Sequence, residues 1–288
     1  MTRFFLSSLA LAGLVGGAAC RPIQPPTTGE PDAGAAAGLT AALHGPGGEV
    51  ARGAAPAQRS RTIVLDPGHG LPDPGVVSQD NELWESDLSL DVAQRTADLL
   101  TAAGHTVIVT RDSLWAVDPG YRSRTDTRIS RDLLARVAIA NQAQADLFLS
   151  IHFNGKEERE VEGTEVWYNV RRSFSRRNEV LARLALTSVV SSLRASGYPA
   201  EARALYADPY DDPAYQPGVT SDYWLLGPGS DPDRRYTPTQ MPGVVIESLF
   251  LSNANDAEAL RLATTRAAIA RGLLATIEAY FALVPDPG

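Results

Sequence analysis

The sequence predicts an α/β fold, a mostly parallel mixed sheet of about six strands with helices on both faces. Two observations carry that expectation. Short β-prone apolar runs alternate with segments of helical periodicity. Three of those runs also end on a chemically active residue: Ile63-Val64-Leu65-Asp66 leads through Pro67-Gly68 to His69, Leu147–Ile151 leads to His152, and Val244-Val245-Ile246 leads to Glu247. Parallel neighbours would bring these tips to one edge of the sheet, the edge where open α/β sheets collect ligands.

In chain order, Arg3 precedes the apolar stretch Phe4–Val15, which passes into Gly16-Gly17-Ala18-Ala19-Cys20. A basic start, a short apolar middle and a small-residue end describe a secretory signal over residues 1–20, too short to cross a bilayer as a mature helix. Cys20, the one cysteine of the chain, stands where a bacterial lipoprotein signal places its lipidated residue, which would attach the protein to a membrane. Gly17 departs from that pattern, and an ordinary cleaved signal is the alternative. Residues 21–60 are rich in Pro, Ala and Gly and almost free of aromatics. Such a segment buries too little apolar surface to offset its ordering entropy and reads as a disordered tether, with His44 a solvated residue inside it.

The folded part is expected over 61–284. A first helix is expected from about Ser86 to Ala103, with an apolar stripe of Leu88, Val92, Leu99 and Leu100 and Gly104 as its stop. Thr106–Thr110 is the second strand, and strand–helix–strand at this spacing implies a right-handed parallel crossover. A helix ending at Asn141 precedes the strand that delivers His152. Gly163–Tyr168 alternates and reads as an edge strand. A helix from about Arg177 to Ala195 follows, then a long Pro/Gly/Asp/Tyr-rich connection in which Tyr223-Trp224-Leu225-Leu226 is a strand candidate. A final helix starts near Thr264 with Ile269, Leu273, Ile277, Tyr280 and Phe281 on one face.

A net charge of −8 argues against a nucleic-acid partner. One cysteine excludes an internal disulfide and a thiolate metal site, so a metal here needs His and carboxylate ligands. Catalytic zinc takes three protein ligands and keeps a fourth position open. His69 and His152 supply two, and a carboxylate at the start of the first helix supplies the third: Glu85, with Glu82 and Asp73 as competitors. Asp66 is expected behind the ligands, holding an imidazole's second nitrogen, and Asn154 lies in the same outer layer. Glu247, not spent on the metal, suits proton transfer.

Asp66-Pro67-Gly68-His69-Gly70, Glu85 with Leu88-x-Leu90-x-x-Ala93, Thr110-Arg111, Arg136 leading to Ala140-Asn141, Ala145–Asn154, Gly163–Val166 and Pro242–Asn253 occur in order. Together they resemble the motifs of the zinc-dependent N-acetylmuramoyl-L-alanine amidases of bacterial cell walls (amidase type 3), over about residues 62 to 282. The resemblance implies one zinc per chain on His69, Glu85 and His152, favours Glu85 over Glu82, and makes Glu247 the catalytic glutamate. It implies hydrolysis of the amide between N-acetylmuramic acid and L-alanine in peptidoglycan, by a monomer in the periplasm or cell envelope, with outer-membrane lipoprotein as one form. Some relatives carry a blocking helix displaced by an activator protein, and no segment here matches one.

The chain departs from the family pattern in three places. Leu71 replaces a second glycine, and insertions lie near 112–135 and 206–241. The second insertion, with Tyr206, Tyr210, Tyr215, Tyr223 and Trp224, reads either as a lid or glycan wall or as plain surface elaboration. The arginines at 122, 124, 128, 131 and 136, with Arg171-Arg172 and Arg176-Arg177, read more readily as solvated faces than as contacts to stem-peptide carboxylates or lipid headgroups.

Overall fold

The computed structural model describes residues 59–122, 129–208, 225–227 and 237–284. Cys20 with the signal, the tether up to residue 58, Arg124, Arg128, Tyr210, Tyr215, Tyr223 and Trp224 lie outside the described residues. Six strands form one sheet: β1 (Thr62–Pro67), β2 (Thr106–Val109), β3 (Leu147–Asn154), β4 (Thr164–Asn169), β5 (Ala202–Asp208) and β6 (Gly243–Phe250). Their order is β2-β1-β3-β6-β4-β5. All neighbours are parallel except β4 and β6, which run antiparallel, so the sheet is mixed as expected.

Among the described residues five helices accompany the sheet: α1 (Glu85–Ala102), α2 (Ile129–Gln142), α3 (Ser175–Ala195), α4 (Ala254–Arg261) and α5 (Ala263–Leu283). Strand parity divides the core. Ile63, Leu65, Leu149, Ile151 and Ile246 point to the face covered by α1, α3 and α5, where Leu88, Val92, Leu181, Val189, Ile269 and Leu273 meet them. Val64, Phe148 and Val245 point to the other face, packing on Val137 and Ala140 of α2 and on Leu225, Leu226 and Met241. Because side chains alternate along a strand, Asp66, Ser150, His152 and Glu247 extend that second face toward the C-terminal edge of β1, β3 and β6.

Two strand expectations are corrected. Gly163–Tyr168 is not an edge strand, because β5 pairs along its outer side and forms the edge itself. Strand β5, Ala202–Asp208, was not expected, whereas Leu225 and Leu226 of the strand candidate sit in a turn buried on the α2 face, the other two residues of that candidate lying outside the described residues. Helix α4, unanticipated, starts at Asn253, whose side chain accepts from the backbone N–H groups of Asn255 and Asp256.

Candidate metal centre

The loop after β1 is held by two buried guanidinium groups. Arg111 donates through Nε to the Pro67 carbonyl (3.1 Å) and through Nη2 to the Gly68 carbonyl (2.8 Å). Arg136 donates through Nη1 to Asp66 (2.9 Å) and the Pro67 carbonyl (2.6 Å), and through Nη2 to the His69 carbonyl. Three consecutive carbonyls are thus fixed by two side chains. His69 is held in the left-handed region at φ 58°, a conformation that costs a non-glycine residue energy and persists where its surroundings impose it.

Two glycines make the room. A Cβ on Gly68 would lie 2.3 Å from the His152 ring, and one on Gly75, at φ +69°, would lie 2.5 Å from Glu85 Oε2 and 2.7 Å from His69 Cδ2. The loop therefore packs its backbone directly onto the side chains it surrounds.

His69, Glu85 and His152 meet there, each offering a ligand atom within 4.8 Å of the others'. His69 Nε2 is 3.1 Å from Glu85 Oε2, and His152 Nδ1 is 2.9 Å from Glu85 Oε1. Glu85 opens α1 and is fully enclosed; its oxygens also accept from the backbone N–H of Val76 (2.8 Å) and of Phe153 (3.1 Å). Two nitrogens and a carboxylate converging at one point form a donor set suited to a divalent ion of the zinc type.

Glu247 stands opposite His152 in the β3–β6 register. The residue is partly exposed, but its Oε2 is buried and among the described residues has no hydrogen-bond partner. Such an orphaned oxygen beside three potential ligands fits a site that also receives a cation and a substrate.

The charges follow. Burial alone would push the His69 imidazole down, but the facing carboxylates of Glu85 and Asp73 outweigh it and raise it to about 10. Burial would raise Glu85, yet His69 and His152 hold it well below the usual carboxylate range. For Glu247 the balance is reversed: desolvation, then the charge of Glu85, push its carboxyl well upward, and the opposing charge of His69 does not offset them.

The outer residues differ from expectation. Asp66 holds no imidazole. It accepts from Thr110 Oγ1 (2.5 Å), Ser150 Oγ (2.7 Å) and Arg136, whose charge keeps it ionised against complete burial. A buried arginine close by gives this aspartate a stronger partner than a histidine. The residue behind His69 is Asp73, 2.8 Å from Nδ1, which leaves Nε2 to face Glu85. Asn154 also turns from the imidazoles, donating to Glu165 Oε2 at 2.8 Å. Glu82 is exposed and pairs with Arg261. Arg136, grouped by sequence with solvated arginines, is buried, whereas Arg131 is exposed and pairs with Asp118. Leu71 touches no ligand and pairs through its backbone with Leu114 and Ala116.

Arg111, Asp73 and Glu165 were not singled out by sequence reasoning as parts of the centre. Thr110-Arg111 and Gly163–Val166 carried the signal only as motif positions, and Asp73 only as a competing ligand.

Residues 63–279 match the family model described as N-acetylmuramoyl-L-alanine amidase. A germination-specific N-acetylmuramoyl-L-alanine amidase of Bacillus subtilis is 38% identical over 108 residues, covering 38% of this chain and 45% of that protein. The N-acetylmuramoyl-L-alanine amidase LytC of the same species is 29% identical over 202 residues, covering 70% of this chain and 32% of that protein. The chain thus spans less than half the length of either relative. In fold it is similar to the CwlD amidase of Clostridioides difficile, solved in complex with the GerS lipoprotein, at TM-score 0.62 and 22% identity over 78% of this chain and 100% of that one. The chain belongs to the N-acetylmuramoyl-L-alanine amidase family.

Proposed function

We propose that this chain is a zinc-dependent hydrolase that cleaves the amide between N-acetylmuramic acid and L-alanine in bacterial peptidoglycan. One observation carries the reading: His69, Glu85 and His152 converge at the sheet edge with the carboxyl of Glu247 opposite His152. Family membership supplies the substrate class.

His69, Glu85 and His152 would hold the ion, with Asp73 fixing the His69 ring through Nδ1. Zinc bound there would polarise the amide carbonyl, acidify a water and, by offsetting the field of Glu85, return Glu247 to its carboxylate form. Glu247 takes a proton from the attacking water on Oε2 and passes it to the departing amide nitrogen as the C–N bond breaks. The burial of Oε2 keeps that proton from bulk solvent. Arg111 and Arg136 keep the His69 loop from moving during the cycle, since every carbonyl from Pro67 to His69 is bonded.

Export belongs to the same proposal and is supported by the pattern of residues 1–20. So does a protein partner, supported by the CwlD structure with its lipoprotein. Peptide release from purified sacculi tests the function. New amino-terminal alanine should appear with zinc and stop with a chelator; intact sacculi under both conditions would reject it.

A further inference from the structure

Beside Glu247 the site holds a pair of cations that the ligand cluster and the proton transfer leave unused. Antiparallel register sets Glu165 of β4 opposite Glu247, and Glu165 is 1% exposed. Its Oε1 accepts from Arg203 Nε at 2.6 Å, lies 3.9 Å from Lys156 Nζ and 3.5 Å from the Tyr206 hydroxyl. Its Oε2 takes the amide of Asn154. Arg203 and Lys156 each stand 5.9 Å from the centre of the Phe250 ring, so one carboxylate and one ring position both cations.

Their surplus is the informative feature. One cation and an amide already satisfy Glu165, yet two positive charges sit against its single negative one. The side chains of Arg203 and Lys156 remain 34% and 36% exposed. Among the described residues the Nη groups of Arg203 make no hydrogen bond, and the Lys156 ammonium has only the long contact to Glu165 and the Phe250 ring. A guanidinium fixed at Nε presents its two Nη groups as a ready fork for a carboxylate.

We propose that Arg203 and Lys156 form a subsite for a carboxylate on the peptide side of the scissile amide. The inference rests on the proposed function above. In that substrate the lactyl carboxyl of the sugar is consumed in the amide, so a free carboxylate near the cleaved bond belongs to the peptide. Glu165 is the positioning residue: it is buried in the strand next to Glu247 and aims both cations.

The test compares two synthetic muropeptides, identical except that the residue after L-alanine carries a free or an amidated carboxyl group. Wild-type protein should prefer the free acid by about tenfold in kcat/KM, mainly through KM, as expected for a charge-assisted contact. Arg203→Gln with Lys156→Gln should bring the ratio near one. Lys156→Gln alone, in a half-exposed residue whose loss should not disturb folding, should lower it by about threefold. An indifferent wild type, or an unchanged ratio in the variants, overturns the proposal. Wild-type protein that cleaves neither muropeptide would instead overturn the functional reading beneath it.

Discussion

His152 and Glu247 occupy paired positions on the parallel strands β3 and β6, so an imidazole of the candidate metal centre and a carboxyl with a buried oxygen project side by side from adjacent strands. The backbone sets their separation, and neither residue depends on a mobile loop for its placement. Glu165, paired with Glu247 across the next strand, extends the row.

Glu247→Gln separates chemistry from metal binding. The variant should keep its metal and lose about 10²-fold or more in kcat, the range for a lost general acid–base. Its stability should also move with pH. In the metal-free protein the Glu247 pKa is raised, so folding favours the protonated form. Stability from this group is fully present below the unfolded value of 4.5 and is lost as pH rises toward the folded one. Metal-free Glu247→Gln should therefore melt higher than wild type at neutral pH and equally at pH below about 4. Calorimetry of both proteins from pH 4 to 8 checks this.

Metal uptake should release protons. His69 is raised to about 10 in the metal-free site, so it is protonated at neutral pH and must give up that proton to become a ligand. Affinity should rise with pH up to about 10. Titration calorimetry in buffers of different ionisation enthalpy should find about two protons released per metal at pH 7, one from His69 and one from Glu247 as it returns to its carboxylate form. A count of zero would place the protons elsewhere.

Asp73→Asn tests the carboxylate behind His69. Losing its charge while keeping the side chain's shape should weaken metal binding by about 10- to 100-fold. Activity should return at saturating zinc, because no reacting group is removed. Metal titration followed by activity measurement distinguishes this from loss of folding.

Arg136→Met removes one partner from a buried set. Asp66 and Asp132 would be left without their guanidinium, and the His69 carbonyl without its donor, while the Pro67 carbonyl would keep only Arg111. The expected cost is about 3–5 kcal/mol, read from urea unfolding. A loss below about 1 kcal/mol would mean that Arg111 alone holds the loop.

Sequence periodicity was enough to find the strands that carry the site, because β1, β3 and β6 each open with an apolar run leading to the functional residue; their ends were less legible, since β3 continues past His152 to Asn154 and β6 past Glu247 to Phe250. Ala202–Asp208 escaped because its alanines and arginine give little alternation; pairing with β4 makes it a strand. The ligand set was legible as residue types at strand ends, and the family resemblance favoured Glu85 over Glu82. The supports were not. That Asp66 serves Arg136 while Asp73 serves His69 depends on how a tight loop folds back across a few residues, and no periodicity records such folding. Burial of Arg136 beside exposed Arg131 is likewise a matter of which way α2 faces the sheet.

The central claim is that His69, Glu85 and His152 share one divalent ion beside Glu247. Anomalous diffraction from zinc-loaded crystals, recorded on both sides of the zinc edge, tests it most directly. The account predicts a single strong peak bounded by His69, the Glu85 carboxylate and His152. A peak elsewhere in the domain, or none at this position under zinc excess, would contradict it.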